Sequence, residues 1–268
     1  MTKNTKAIFA LFVLCAVFSG CNEWTITSNW KSRPVTIDGK DTEWQEEMAQ
    51  IENVYIGLAN DDEYLYMCLS ATDKVAKAQM LGLFKQSFCL WFDPAGGTKR
   101  AFGLRVSNES PFMNEALVNK LKFIDTSAFN VIATEMMNHM DIEVLRDNYP
   151  VALLSETKGI DAAMGTSMNG RKLTFEFKIP LTKNENHPFA IDSSAGKTIG
   201  IGLEASRIDM DLVWIKSTEE AESKSDESRP SPRYRLVARR AQIDQYSEPL
   251  RYIELWGKVQ LAKQENKK

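Results

Sequence analysis

Five aromatic side chains, Tyr55, Tyr64, Tyr66, Trp91 and Trp256, are placed by alternation where a sheet surface can grip a flat, hydroxylated ligand. A ring face receives apolar C–H groups while neighbouring Asp, Glu, Asn or Arg side chains take up hydroxyls, which is what a sugar ring presents. If Leu65, Met67 and Leu69 point inward, then Tyr64, Tyr66 and Cys68 point outward. Phe88, Leu90 and Phe92 inward send Cys89 and Trp91 outward, and the same parity turns out Tyr55 and Trp256. A face carrying Tyr55, Tyr64, Tyr66 and Trp91 is more aromatic than solvent exposure alone explains. Either residues 107–150 cover it and make a second small core, or it receives a ligand, or it docks a partner. Trp256 stands evenly between core and platform, while Trp214 shares the parity of Met210 and Leu212 and reads as core.

Other reactive groups give less. Asp38, Asp61, Asp62, Asp73 and Asp93 fall at turns, where hard oxygen ligands can hold calcium but where caps and solvated corners are commoner. His139 lies among methionines, a haem-ligand pairing, without a Cys-x-x-Cys-His attachment motif. His139 and His187 are too few and too distant to build a histidine metal centre, and no His-Glu-x-x-His is present. Ser167 lacks a nucleophile-elbow setting. A glycosidase needs two carboxylates, and nothing selects a pair among 36 acids. The expectation is a binding protein with no catalytic residues.

The elements that must position these groups are strands. Apolar residues alternate at Val54–Leu58, Leu65–Leu69, Phe88–Phe92, Phe102–Val106, Leu173–Ile179, Ile199–Leu203, Met210–Trp214 and Ile253–Leu261. Asn60-Asp61-Asp62-Glu63, Asp93-Pro94-Ala95-Gly96-Gly97 and Asn169-Gly170 supply turns between them. One-sided alternation in so many strands predicts antiparallel sheets with one buried face each, packed as a sandwich. Residues 107–150 read as an insertion with helical turns around Ala116, Leu117 and Leu121, and strand at Ile142 and Val144. Residues 217–232, rich in Ser, Glu and Pro, read as a mobile loop, and residues 263–268 as a disordered tail. Cys68 and Cys89 face the same way by parity, leaving a bridge between neighbouring strands or two separate thiols.

The amino terminus carries a different chemistry. Lys3 and Lys6 precede an apolar run, Ala7 to Phe18, followed by Ser19, Gly20 and Cys21. Twelve residues reach about 18 Å as a helix, short of a ~30 Å hydrocarbon core, so the run suits a cleaved secretory signal better than an anchor. Ser-Gly-Cys resembles the lipobox of bacterial lipoproteins, with Phe18 in place of the usual Leu. That resemblance implies cleavage before Cys21 and acylation of Cys21, a palmitate-type anchor. Asn22, not Asp, implies the outer membrane, with its periplasmic or surface side open. The expected layout is a signal peptide over 1–20, a lipidated tether over 21–33 and one domain over 34–262. Without Lys3 and Lys6 the formal charge of −3 moves to near −5, which gives no electrostatic reason to expect nucleic acid.

The motifs in order resemble the family 9 carbohydrate-binding modules. They are Val35-Thr36-Ile37-Asp38-Gly39 with Trp44, the hairpin from Val54 through Asp61-Asp62-Glu63-Tyr64-Leu65-Tyr66 to Asp73, and Leu90-Trp91-Phe92-Asp93-Pro94. Phe175-Glu176-Phe177-Lys178-Ile179-Pro180-Leu181 and Ile201-Gly202-Leu203 to Arg207 follow. The resemblance implies an all-β, antiparallel jelly-roll-like β-sandwich with a partly helical insertion, carbohydrate as ligand and, often, structural calcium. It also implies that Trp44 plugs an end of the sandwich. Retention of glycan near degrading or importing machinery is the function it suggests. An envelope assembly lipoprotein binding a protein partner, or a haem or metal carrier, are the alternatives.

Overall fold

The computed structural model describes residues 23–31, 35–44, 46–82, 87–108, 140–167, 171–205 and 252–264. The expected signal peptide, the helical turns expected near Ala116, His139, Trp214 and the loop expected over 217–232 lie outside them. Thirteen strands are present among the described residues: β1 Trp24–Thr27, β2 Asn29–Trp30, β3 Met48–Ile51, β4 Val54–Asn60, β5 Tyr64–Ala71, β6 Phe88–Asp93 and β7 Phe102–Asn108. The remainder are β8 Met140–Arg146, β9 Tyr149–Leu153, β10 Asp161–Thr166, β11 Leu173–Pro180, β12 Thr198–Ala205 and β13 Glu254–Gln260. A short helix, α1 Lys74–Met80, and a 3-10 turn at Leu154–Glu156 complete the elements.

The strands form two sheets. A seven-stranded sheet runs β1-β13-β12-β6-β7-β8-β9, and a six-stranded sheet runs β10-β11-β5-β4-β2, with β3 also on β4. Their apolar faces meet in one core, where Leu65, Met67, Phe175 and Phe177 of one sheet face Phe92 and Ile201 of the other, all almost fully buried. Each such side chain contributes ~1.5–3 kcal/mol of burial. This is the all-β sandwich that the alternation predicts, and among the described residues those expected to point inward do so; Met210, Leu212 and Trp214 lie outside them.

Turn chemistry sets the register. Asp61 accepts hydrogen bonds from the Glu63 and Tyr64 amides at 2.8 and 2.7 Å, closing the β4–β5 hairpin. Asp93 accepts from the amides of Ala95 and Lys99, and Gly96 adopts a positive φ of 76°, closing β6–β7. Asp73 caps α1 through the Ala76 amide. These carboxylates are spent on backbone donors. Among the described residues, no three His, Cys, Asp or Glu side chains converge to hold a metal ion.

Three layout expectations change. Residues 24–30 are not a tether: β1 joins the seven-stranded sheet beside β13, and β2 joins the other beside β4, both in parallel. Sequence reading missed them because each pairs with a strand far away in the chain, and their own pattern is short. Similarly, β8 and β9 extend the main sheet rather than belonging to an insertion. Finally, Cys68 on β5 and Cys89 on β6 lie in different sheets, and both are free thiols. Parity within each strand is right, but "outward" means opposite sides of a sandwich.

Candidate functional site

That same geometry divides the five aromatics. Tyr55, Tyr64 and Tyr66 stand on the outer face of the six-stranded sheet, and Trp91 and Trp256 on the outer face of the seven-stranded one. The single platform expected from Tyr55, Tyr64, Tyr66 and Trp91 therefore does not exist, since parity cannot say which sheet a strand joins.

The six-stranded sheet's outer face is a second small core. Trp44, Ala59, Tyr66 and Cys68 are buried together, with Val35, Ile37, Met48 and Tyr64 packed on them. Among the described residues the cover is the segment around residues 35–48, and Trp44 lies flat on the sheet instead of plugging an end; most of residues 107–150, the cover expected from the sequence, lies outside the described residues. Its indole covers Gly57, where an added Cβ would fall 2.6 Å from the ring. Its Nε1 donates to Glu176 Oε1 at 2.7 Å, while the Asp38 and Gly39 amides donate to Oε2 at 2.9 and 2.7 Å. Burial pushes the Glu176 carboxyl above its ordinary range, against the opposing pull of those donors. The Ile-Asp-Gly motif is thus the strap that Glu176 ties down.

Tyr66 is 1% exposed, and its hydroxyl donates to Asp61 at 2.9 Å. Tyr64 is half-buried; its hydroxyl shares a 2.8 Å hydrogen bond with His187 Nε2, and Lys178 Nζ sits 4.3 Å above its ring. Tyr55 is half-buried with the Lys172 ammonium 5.7 Å from its ring centre. Burial pushes the Tyr64 phenol up to about 12, so it stays neutral near pH 7. The role of His187 was missed: it is buried and docks the 181–197 loop onto Tyr64, and no local pattern announces so distant a contact.

The seven-stranded sheet's outer face is built differently, from tryptophans rising out of the sheet itself. Trp256 on β13 lies across its cross-strand partner Gly202, and Trp91 on β6 lies across its partner Gly103. A Cβ at Gly202 or Gly103 would sit 2.5 or 2.4 Å from the respective indole, so only glycine permits the rings to lie flat. Between them, Glu204 on β12 accepts Trp91 Nε1 on Oε2 and Trp256 Nε1 on Oε1, both at 3.0 Å. Arg100 closes on the same carboxylate, its NH2 2.8 Å from Oε1, and half of that guanidinium side chain is exposed. The indole donors are consumed internally, so what this face offers outward is ring face and guanidinium. Trp91 is 4% exposed and acts as a pillar; the half-buried Trp256 and Arg100 are the accessible members. The sequence named Trp91 and Trp256, but Glu204 and Arg100 were missed. Glu204 carried a signal: an acid at an outward position one alternation beyond Gly202.

A cleft of about 670 Å³ lies beside β10, lined by Val35, Ile37, Leu154, Ile160, Asp161 and Lys178 among others. Nearby β9, the edge of the seven-stranded sheet, exposes Tyr149 by 72%, along with Val151 and Leu153.

No protein-family model matches the chain, and no curated protein matches it. Among solved structures the chain is similar to a family 9 carbohydrate-binding module from Caldicellulosiruptor kristjanssonii in complex with cellotriose. Identity is 14% and the TM-score 0.41, covering 91% of this chain and 96% of that one. It is also similar to a family 9 module from the same organism in complex with glucose, at 16% identity and TM-score 0.34, covering 70% of this chain and 81% of that one. This is the family that the sequence motifs resemble. At such identity and TM-score no residue role passes from those modules to this chain.

Proposed function

We propose that the protein is an outer-membrane lipoprotein whose β-sandwich binds carbohydrate without catalysis, holding glycan near degrading or importing machinery. The reading places a palmitate-type anchor on Cys21 and the ligand on the outer face of the seven-stranded sheet. The observation that carries it is the Trp91–Glu204–Trp256 arrangement with Arg100 at its edge. A pinned, flat, partly open indole beside an exposed guanidinium offers stacking for sugar C–H groups and donors for hydroxyls. Calorimetry and glycan arrays with plant and host polysaccharides test it: the wild type binds, Trp256→Ala weakens binding at least tenfold, and Tyr55→Ala leaves it unchanged. A folded protein silent on every glycan removes the proposal.

One observation favours a second reading, an envelope protein as partner. Tyr149, Val151 and Leu153 are the large apolar side chains exposed among the described residues, and they share an edge strand. An unpaired edge with an apolar face is a template for strand addition. Pull-down from envelope extracts that is lost in Val151→Asp but kept in Trp256→Ala selects this reading over the first.

A further inference from the structure

Two residues after Cys21 the backbone is already fixed. Glu23 pairs with Lys258 at 2.8 Å, and Trp24 lies on Gly257, its partner in β13. Four residues on, Ser28 Oγ donates to Asn60 Oδ1, and the Ala262 amide donates to that same oxygen and to Ser28 Oγ. This knot ties the crossing from one sheet to the other. A tether over residues 21–33 would span some 40 Å when extended and let the domain roam. Instead, three residue steps, about 10 Å of chain, separate Cys21 from Trp24.

We infer that the sandwich is held close to the bilayer, in one orientation, with the end of the seven-stranded sheet where β13 begins turned toward it; the inference rests on acylation of Cys21. Direction follows from register. β1 runs parallel to β13 with Trp24 opposite Gly257, so the chain leading back to Cys21 heads toward Glu254. Glu254 is level with Glu204, and Ala205 with Phe88. The membrane-facing end therefore comprises the start of β13, the end of β12 and the start of β6. Gln260, level with Thr198, lies six residues beyond Glu254 along β13, roughly 20 Å farther from the surface at ~3.3 Å per residue. The tryptophan face then stands edge-on to the bilayer, with Trp256 near its lower margin. The partner of this end is a lipid surface.

The test uses the full chain, matured in a bacterial host and reconstituted into phospholipid vesicles containing a nitroxide-headgroup lipid. In a Cys89→Ser background, fluorophores go on single cysteines at the near end, Glu254→Cys and Ser87→Cys, and at the far end, Lys99→Cys and Lys197→Cys. Two probes per end keep the comparison alive if one substitution misfolds. Near-end probes should be quenched several-fold more than far-end probes. A flexible Gly-Ser spacer of about fifteen residues between Asn22 and Glu23 should bring that ratio close to one. Equal quenching at both ends of an acylated protein, or a ratio that the spacer leaves unchanged, overturns the seating while the anchor stands. A Cys21 peptide without acyl mass overturns the anchor, and the seating with it.

Discussion

The outer faces of the two sheets use one device to opposite ends. On each, an indole lies over a glycine and gives its N–H to a carboxylate on a strand: Trp44 to Glu176 on one side, Trp91 and Trp256 to Glu204 on the other. The difference is where the tryptophan comes from. Trp44 arrives on a separate segment laid over the sheet, so its Glu176 is fully buried and the face is closed. Trp91 and Trp256 rise from the sheet, so Glu204 keeps 17% of its side chain exposed and can recruit Arg100 from a turn. A covered carboxylate is architecture; a reachable one leaves an organised surface for something else to meet.

The largest effect should come from breaking the covered side. Glu176→Ala strands an indole and two amides in a dry site, and removal of one partner from a buried charged network typically costs about 3–5 kcal/mol. Trp44→Ala should cost a similar ~3–5 kcal/mol through the cavity over Gly57. Because both untie the same strap, the double variant should lose much less than the sum. Trp256→Ala, on the open side, should cost about 1 kcal/mol of stability while removing ligand binding. Denaturant midpoints read all four variants. Equal losses for Trp44→Ala and Trp256→Ala would erase the distinction between the faces.

A smaller effect of the covered carboxylate appears with pH. Burial holds the Glu176 carboxyl above its ordinary value in the folded protein. The folded state then keeps that proton to higher pH than the unfolded chain does, so it binds more protons in the interval. Stability from this group therefore falls as pH rises from the ordinary carboxylate value through the raised one. Glu176→Gln should lack that fall, which appears as a difference between the two proteins' urea midpoints across the interval. A difference of the opposite sign would mean that the three donors outweigh burial.

How much of this was legible depends on the range of the contact. The alternations at Leu65–Leu69 and Leu173–Ile179 reveal the inward face because a strand's own period of two reports it. The turns at Asp61 and Asp93 are equally local. Which sheet a strand joins is not local, and that is why parity assigns Tyr66 and Trp91, and likewise Cys68 and Cys89, to one face. Strands β1 and β2 were hidden for the same reason: Trp24 finds Gly257 and Ser28 finds Asn60 only after the whole chain has closed. Helix α1 did leave a trace, Asp73 as a cap with Ala76 and Met80 four apart, submerged in a sequence otherwise read with a period of two.

The smallest prediction is also the most discriminating for the open face. Arg100→Ala removes a partly exposed ion pair, which contributes only about 0.2–1 kcal/mol, and both indoles keep their bonds to Glu204. The denaturation midpoint should scarcely move. Ligand affinity should nonetheless fall severalfold, because Arg100 is the charged donor standing free enough to reach a hydroxyl beside Trp256. Arg100→Lys keeps the charge but loses the planar fork that holds Glu204 through both Nε and NH2, so it should restore affinity only in part. If Arg100→Ala instead lowered stability as much as Trp44→Ala does, the guanidinium would be a strap like residues 35–48, and the two faces would be one design repeated.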